Sequence, residues 1–202
     1  NLINSPSRNI LTIENPVEYE LPGITQISID PDQDLDFSKT LRAALRQDPD
    51  VILIGEIRDE ETAEIAVKAA LTGHLVLTTL HSRDALTVIQ RLKNLGISAD
   101  LLSETLNLIV SQKLVRRLCR HHRREKNCRN CRGTGYHGRT PLYEILQLNH
   151  NLRDRIRENV SGPALLEGVE GVYFRGMKET AGLLLEQRIT DIKELRPHLE
   201  GF

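Results

Sequence analysis

Short apolar runs alternate with amphipathic stretches along the first half of the chain. Val51-Ile52-Leu53-Ile54 is continuously apolar, as a strand covered on both faces would be. The next stretch carries Ala63, Ala66, Val67, Ala70 and Leu71 at helical spacing, and Gly73 ends it. Leu75 to Leu80 reads as another buried strand. This strand–helix–strand pattern predicts a parallel sheet, with ligands at the carboxyl ends of its strands. Upstream, Ile10 to Ile13 predicts another strand, which Pro16 stops because it has no N–H for the ladder. Leu21-Pro22-Gly23 reads as a turn, and Ile24, Ile27 and Ile29 suggest a weaker strand. Phe37, Leu41, Ala44 and Leu45 predict a helix that Asp36 or Ser38 can cap.

The second half is more helical. Periodicity predicts helices from Asp84 to Leu95, where Gly96 stops it, and from Ser98 to about Ile109. Gly133 to Arg139 is turn-rich, and Leu142 to Leu146 reads as an edge strand. Leu152 to Asn159, Gly176 to Gln187 and Ile192 to Leu199 read as helices, and 162–172 fits no pattern. The fold class is α/β. Residues 1–112 form its parallel-sheet core, 113–147 a small metal-binding module, and 148–202 a helical C-terminal subdomain.

Composition narrows this only a little. A 202-residue chain with 39% hydrophobic and 27% charged residues is ordinary for a globular protein. Its formal net charge of −1 gives no global field toward nucleic acid or an anionic membrane. The longest apolar runs fall far short of the roughly 20 residues a membrane-spanning helix needs. No basic-then-apolar signal segment opens the chain. Three cysteines, two of them in Cys128-Arg129-Asn130-Cys131, fit a metal site better than a disulfide framework.

Chemistry gathers at the predicted strand ends. Glu14, Glu18 and Glu20 follow the first strand; Glu14 can position a cation or a water, or all three can form a solvated acidic loop. Gly55-Glu56 ends the strand at Val51 to Ile54. A carboxylate there is the Walker B arrangement, which holds Mg²⁺ or polarises an attacking water. The usual preceding Asp is Gly55 here. Arg58 and Asp59 follow, and Glu60, Glu61 and Glu64 favour the start of the next helix. His81 ends the run at Leu75 to Leu80, where an imidazole can read a γ-phosphate or serve structure alone. Arg42 and Arg46 share one helix face. A basic run then surrounds the cysteines: Lys113, Arg116, Arg117, Arg120, Arg123, Arg124 and Lys126. Cys119, His122, Cys128 and Cys131 form a Cys-x-x-His…Cys-x-x-Cys set suited to tetrahedral structural Zn²⁺, with His121 a rival ligand. A basic zinc ribbon can also bind nucleic acid, but the interleaved aromatics for base stacking are missing and only Tyr136 is near.

These segments resemble the secretion ATPases, the motors of type II secretion and of type IV pilus assembly and retraction. Thr12-Ile13-Glu14-Asn15-Pro16-Val17-Glu18-Tyr19-Glu20 resembles the family's Asp box, and Leu45 to Asp59 its Walker B region, where Gly before Glu is the family form. Thr72-Gly73-His74-Leu75-Val76-Leu77-Thr78-Thr79-Leu80-His81 resembles its His box. The cysteines with Gly133-Thr134-Gly135-Tyr136 and Gly138-Arg139-Thr140 resemble the C-terminal metal module of the assembly and type II members. The resemblance implies a partial RecA-like parallel sheet with a small zinc ribbon and a helical C-terminal subdomain. It implies catalytic roles for Glu14 on water, Glu56 on Mg²⁺ and His81 on the γ-phosphate. Arg42, Arg46 and Arg58 would lie at the nucleotide interface. ATP, Mg²⁺ and structural Zn²⁺ are the implied cofactors. The implied assembly is a homo-hexamer docked from the cytoplasm on inner-membrane platform proteins, with no nucleic acid expected.

Three departures qualify the match. Asn15 stands where the Asp box has its second acid, and His122 where the family has a cysteine. No Gly-x-x-x-x-Gly-Lys-[Ser/Thr] occurs, so the backbone cradle for phosphates is missing. In the family that loop lies just upstream of where this chain begins. The expectation is a C-terminal portion of a secretion ATPase that does not turn over ATP by itself. The rival expectation is a truncated paralogue acting as a non-hydrolysing assembly module.

Overall fold

The computed structural model describes residues 2–30, 36–121 and 128–199. The chain divides into two units: residues 1–106 with 150–169, and residues 107–149 with 170–202. The stretch 148–202, read from sequence as one helical subdomain, is therefore shared between both units.

The first unit is built on a four-stranded, wholly parallel sheet. Its strands are β1 (Ile10–Glu14), β2 (Thr25–Ser28), β3 (Val51–Ile54) and β4 (Leu75–Thr78), in the order β2-β1-β3-β4. Inner strand β3 is apolar throughout and β1 is apolar at Ile10, Leu11 and Ile13; Ile13, Ile52 and Ile54 are fully buried. The first four helices start on side-chain caps, which satisfy N–H groups of their first turns. Asp36 caps α1 (Phe37–Leu45) and Asp59 caps α2 (Glu60–Leu71). Asp84 and Thr87 form a capping box on α3 (Ala85–Asn94). Gly96 takes φ +81° after α3, with Glu60 packed where a Cβ would stand. Ser98 caps α4 (Ala99–Thr105), and α5 (His150–Arg157) packs against α4. A single 3-10 turn (Gly162–Leu166) occupies part of the stretch that fitted no pattern.

Two expectations for this unit change. The run at Leu75 was expected to be a buried strand, but β4 is an edge strand with Leu75 48% and Leu77 41% exposed. A continuous apolar run marks a strand with little polar surface; it does not say which strands flank it. Leu71, assigned to the packing face of α2, is exposed, while Thr62 and Ile65 are buried in its place.

The second unit holds a three-stranded antiparallel sheet of order β5-β6-β7, from β5 (Leu108–Leu118), β6 (Tyr136–Gln147) and β7 (Tyr173–Arg175). Helices α6 (Met177–Glu186) and α7 (Ile192–Leu199) cover it, with Val115, Leu142, Met177, Ala181 and Leu195 in the core. Two further corrections belong here. The helix expected to run to about Ile109 ends at Thr105, and Leu108 opens the long strand β5. The edge strand expected at Leu142 to Leu146 is the C-terminal half of β6, the central strand, with Pro141 opposite Leu114.

Candidate functional site at the strand ends

Because β1, β3 and β4 are parallel neighbours, their carboxyl ends open on one edge of the sheet. Glu14 is the last residue of β1. Its Oε1 accepts from Thr12 Oγ1 at 2.6 Å and from Gln26 Nε2 at 3.1 Å. Gln26 also donates to the Tyr19 carbonyl at 3.0 Å and accepts from the Leu21 N–H at 2.6 Å. The β2 side chain thus ties the carboxylate to the loop after β1. Gln26 was not singled out in the sequence. Its signal is only its place on a strand that pairs with β1.

Glu56 lies just beyond β3. The Gly55 N–H donates to the Ile13 carbonyl at 2.7 Å. A Cβ on Gly55 would stand 3.1 Å from that oxygen and 3.4 Å from Glu14 Cα. The close approach of β1 gives a steric reason for glycine where a Walker B segment usually has Asp. Glu56 is 16% exposed, and its Oε2 meets Arg58 Nε at 2.5 Å and His81 Nε2 at 3.4 Å. The end of β4 is pinned to the end of β3. Thr79 Oγ1 donates to the Gly55 carbonyl at 2.5 Å, and the Ile57 N–H donates to the Thr79 carbonyl at 3.1 Å. These bonds set His81, itself 88% exposed, over Glu56.

The structure thus brings Glu56, Arg58 and His81 together, with Glu14 on the adjacent strand end. Arg42 is held elsewhere: from α1 it pairs with Glu61 of α2 at 2.6 Å. Arg46 donates to the Arg42 carbonyl at 3.1 Å. Two carboxylates and an imidazole suit a hydrated Mg²⁺ and an attacking water. The phosphate-cradling loop is absent from the 202 residues, so the fit to a nucleotide is partial.

The second cluster is in the other unit. Cys119, Cys128 and Cys131 are buried, with their sulfurs within 4.8 Å of one another. Cys119 Sγ and Cys128 Sγ are 3.7 Å apart. A disulfide would need about 2.05 Å, whereas Zn–S bonds of about 2.3 Å at tetrahedral angles put sulfurs about 3.8 Å apart. The Cys131 N–H favours the Cys128 thiolate, but burial and the thiols of Cys119 and Cys131 outweigh it and raise the group above its ordinary value. Three buried sulfurs need a cation to ionise together, so the donor set fits Zn²⁺. His122, the expected fourth ligand, lies outside the described residues. His121 is described and exposed, and its ring is not among the gathered donors.

Comparison with known proteins defines the class first. The fold superposes on the pilus retraction motor PilT with bound ADP at TM-score 0.76 and 32% identity, over 98% of this chain and 55% of that one. The ATPase DotB of Legionella pneumophila follows at TM-score 0.75 and 26% identity, over 100% and 54%. These are α/β ATPases of the P-loop class, and this chain carries the partial RecA-like sheet of that fold with a Cys₃ cluster compatible with zinc. The chain belongs to the family described as "Type II/IV secretion system protein", whose profile matches residues 1–196. Among curated relatives, Type II secretion system protein HxcR of Pseudomonas aeruginosa is 42% identical over 96% of this chain and 43% of its own length. Type IV pilus assembly ATPase PilB of the same organism is 38% identical over 96% and 39%. The chain spans less than half the length of these relatives.

Proposed function

We propose that this chain supplies the water- and metal-facing half of the nucleotide site in a secretion or pilus motor ATPase. The observation that carries the reading is the contact of Glu56 with both Arg58 and His81, beside Glu14 on the neighbouring strand end. In this reading Glu14, fixed by Thr12 and Gln26, orients the attacking water and takes up its proton. Glu56 holds the Mg²⁺ shell, and His81, 3.4 Å from Glu56 Oε2, reports the γ-phosphate to the end of β4. Arg58 keeps Glu56 in place until substrate arrives, while Arg42 and Arg46 face the nucleotide interface. The Walker A loop comes from sequence that these 202 residues do not contain.

Cys119, Cys128 and Cys131, with His122, would hold a structural Zn²⁺ that stiffens the module at 113–147. The working form is a homo-hexamer on the cytoplasmic side of the inner membrane, docked on secretion or pilus platform proteins. Among the described residues no helix is long and apolar enough to cross a membrane.

Two experiments test this. Calorimetric titration of a non-hydrolysable Mg-ATP analogue into the zinc-loaded chain should give no detectable binding; micromolar binding would refute the division of the site. Fusing the chain to the upstream half of HxcR should give magnesium-dependent hydrolysis that Glu56→Gln abolishes. A folded, hexameric fusion without hydrolysis would favour the non-hydrolysing assembly module, for which the missing phosphate loop is the supporting observation.

A further inference from the structure

The segment 113–139 carries ten Lys and Arg against one acid, Glu125, in a chain whose net charge is −1. Where the structure describes these cations, they are neutralised unevenly. Arg116 on β5 is paired: its Nε and Nη2 donate to Glu194 Oε2 at 2.9 and 2.7 Å, and it lies 4.2 Å from the centroid of the Tyr136 ring. Arg117, the next residue, has no carboxylate partner among the described residues, and neither has Arg120.

Both open on one cavity of about 270 Å³, which Asn130, His121 and His137 also line. Among the described residues no acid lines it. Two arginines, an asparagine and two histidines thus line one concave space, with Leu118 and Cys119 completing the described lining. A guanidinium fork matches the paired oxygens of a phosphoryl group and holds its charge at any physiological pH. Two such cations lining one cavity with no carboxylate among its described residues favour a bound anion.

We propose that this cavity is an anion site that takes a phosphoryl group, with Arg117 and Arg120 as its charged clamp and Asn130 and His137 as orienting donors. The cavity is larger than a phosphate alone needs, so it admits a substituted phosphate, either free in solution or as a lipid head group. The lining residues belong to the second unit, and the proposal holds whether or not the chain takes part in hydrolysis.

The test uses the whole zinc-loaded chain and follows backbone and Asn130 side-chain amide signals by NMR. Inorganic phosphate and glycerol phosphate should shift the signals of Arg117 to Cys119 and Asn130 saturably, and chloride at equal ionic strength should not. Arg117→Gln with Arg120→Gln should weaken binding at least tenfold, and Asn130→Ala by a smaller factor. Arg91→Gln, which removes a cation elsewhere, should leave it unchanged. Zinc content and circular dichroism verify each variant's fold, and Asn130→Ala carries the test if the double variant fails to fold. Co-sedimentation then separates the sources. Retention on phosphatidylglycerol vesicles but not phosphatidylcholine vesicles, competed by glycerol phosphate, identifies a head group. Saturable phosphate binding without retention identifies a soluble phosphate. No saturable shift, an unchanged double variant, or a response that chloride reproduces would overturn the proposal. So would tight oligonucleotide binding that phosphate does not compete.

Discussion

Gly55→Ala tests the steric account of the strand-end site. The new methyl would meet the Ile13 carbonyl at 3.1 Å and Glu14 Cα at 3.4 Å. Both are backbone atoms of β1, which is clamped between β2 and β3, and Ile13 is fully buried. Neither can swing aside as a flexible side chain would, so β1 and β3 must part by a few tenths of an ångström. Overpacking of this kind costs about 1–3 kcal/mol. Stiffening the unfolded chain returns about 0.4–1 kcal/mol. The net expectation is a loss of about 1–2 kcal/mol, equivalent to about 2–8 °C in melting temperature. Urea unfolding by circular dichroism measures it, and hydrogen exchange at Gly55 and Ile13 assigns the loss to the first unit. Gly182→Ala is the control: it lies inside α6 with nothing within 4 Å of its added Cβ, and should stabilise by up to about 1 kcal/mol. A Gly55→Ala chain as stable as the parent, with unaltered exchange at Ile13, would refute the close-approach argument. Gly55→Asp would then have no steric reason to be costly either.

Two further outcomes are expected. The Arg116 hydrogen bond holds the Glu194 carboxyl below its ordinary value. At Asp191 burial pushes upward, but the Tyr136 hydroxyl and the N–H groups of Glu194 and Lys193 outweigh it, so that carboxyl is lowered too. A lowered folded value means stability that is present above the ordinary carboxylate range and is lost as pH falls through the folded values. Hydrogen exchange in β5 and β6 across that range should show the loss, Glu194→Gln should flatten it, and an identical slope in the variant would remove the explanation. Chelation should release about one zinc per chain and speed exchange of the Cys119 N–H, which donates to the Gly135 carbonyl at 2.8 Å. A metal-free chain with full protection there would argue against the zinc assignment.

The strand–helix–strand core was legible because each local signal agreed with the next. Val51 to Ile54 is apolar and central, Asp59 caps the helix that follows, and Gly73 closes it at φ +103°. Strand β5 was not legible, for a definite reason. Ile109 and Val115 face the core, while Leu108, Val110 and Leu114 of the other parity are apolar but exposed. With both faces apolar, the alternation that marks a half-buried strand disappears. The strand-end carboxylates and histidine could be picked out as residues, but their contacts could not. Nothing in the order Glu56, Arg58, His81 says that Arg58 folds back on Glu56, or that Thr79 ties the two strand ends together. The sulfur cluster was legible from cysteine spacing, since structural zinc sites are built mostly from thiolates and imidazoles.

The first unit is not a contiguous length of polypeptide. It is left at residue 106 and rejoined at residue 150. Leu152, Ile156 and Leu165 of the returning segment are buried, and α5 packs on α4. On a ribosome, the sheet that carries Glu14, Glu56 and His81 therefore emerges well before the helix that completes its unit. Until residue 169 is outside the exit tunnel, the α4 surface waits for its cover. A stop codon or a protease cut at the apparent boundary near residue 112 would leave that surface bare, so the motif-bearing half is not a portable cassette.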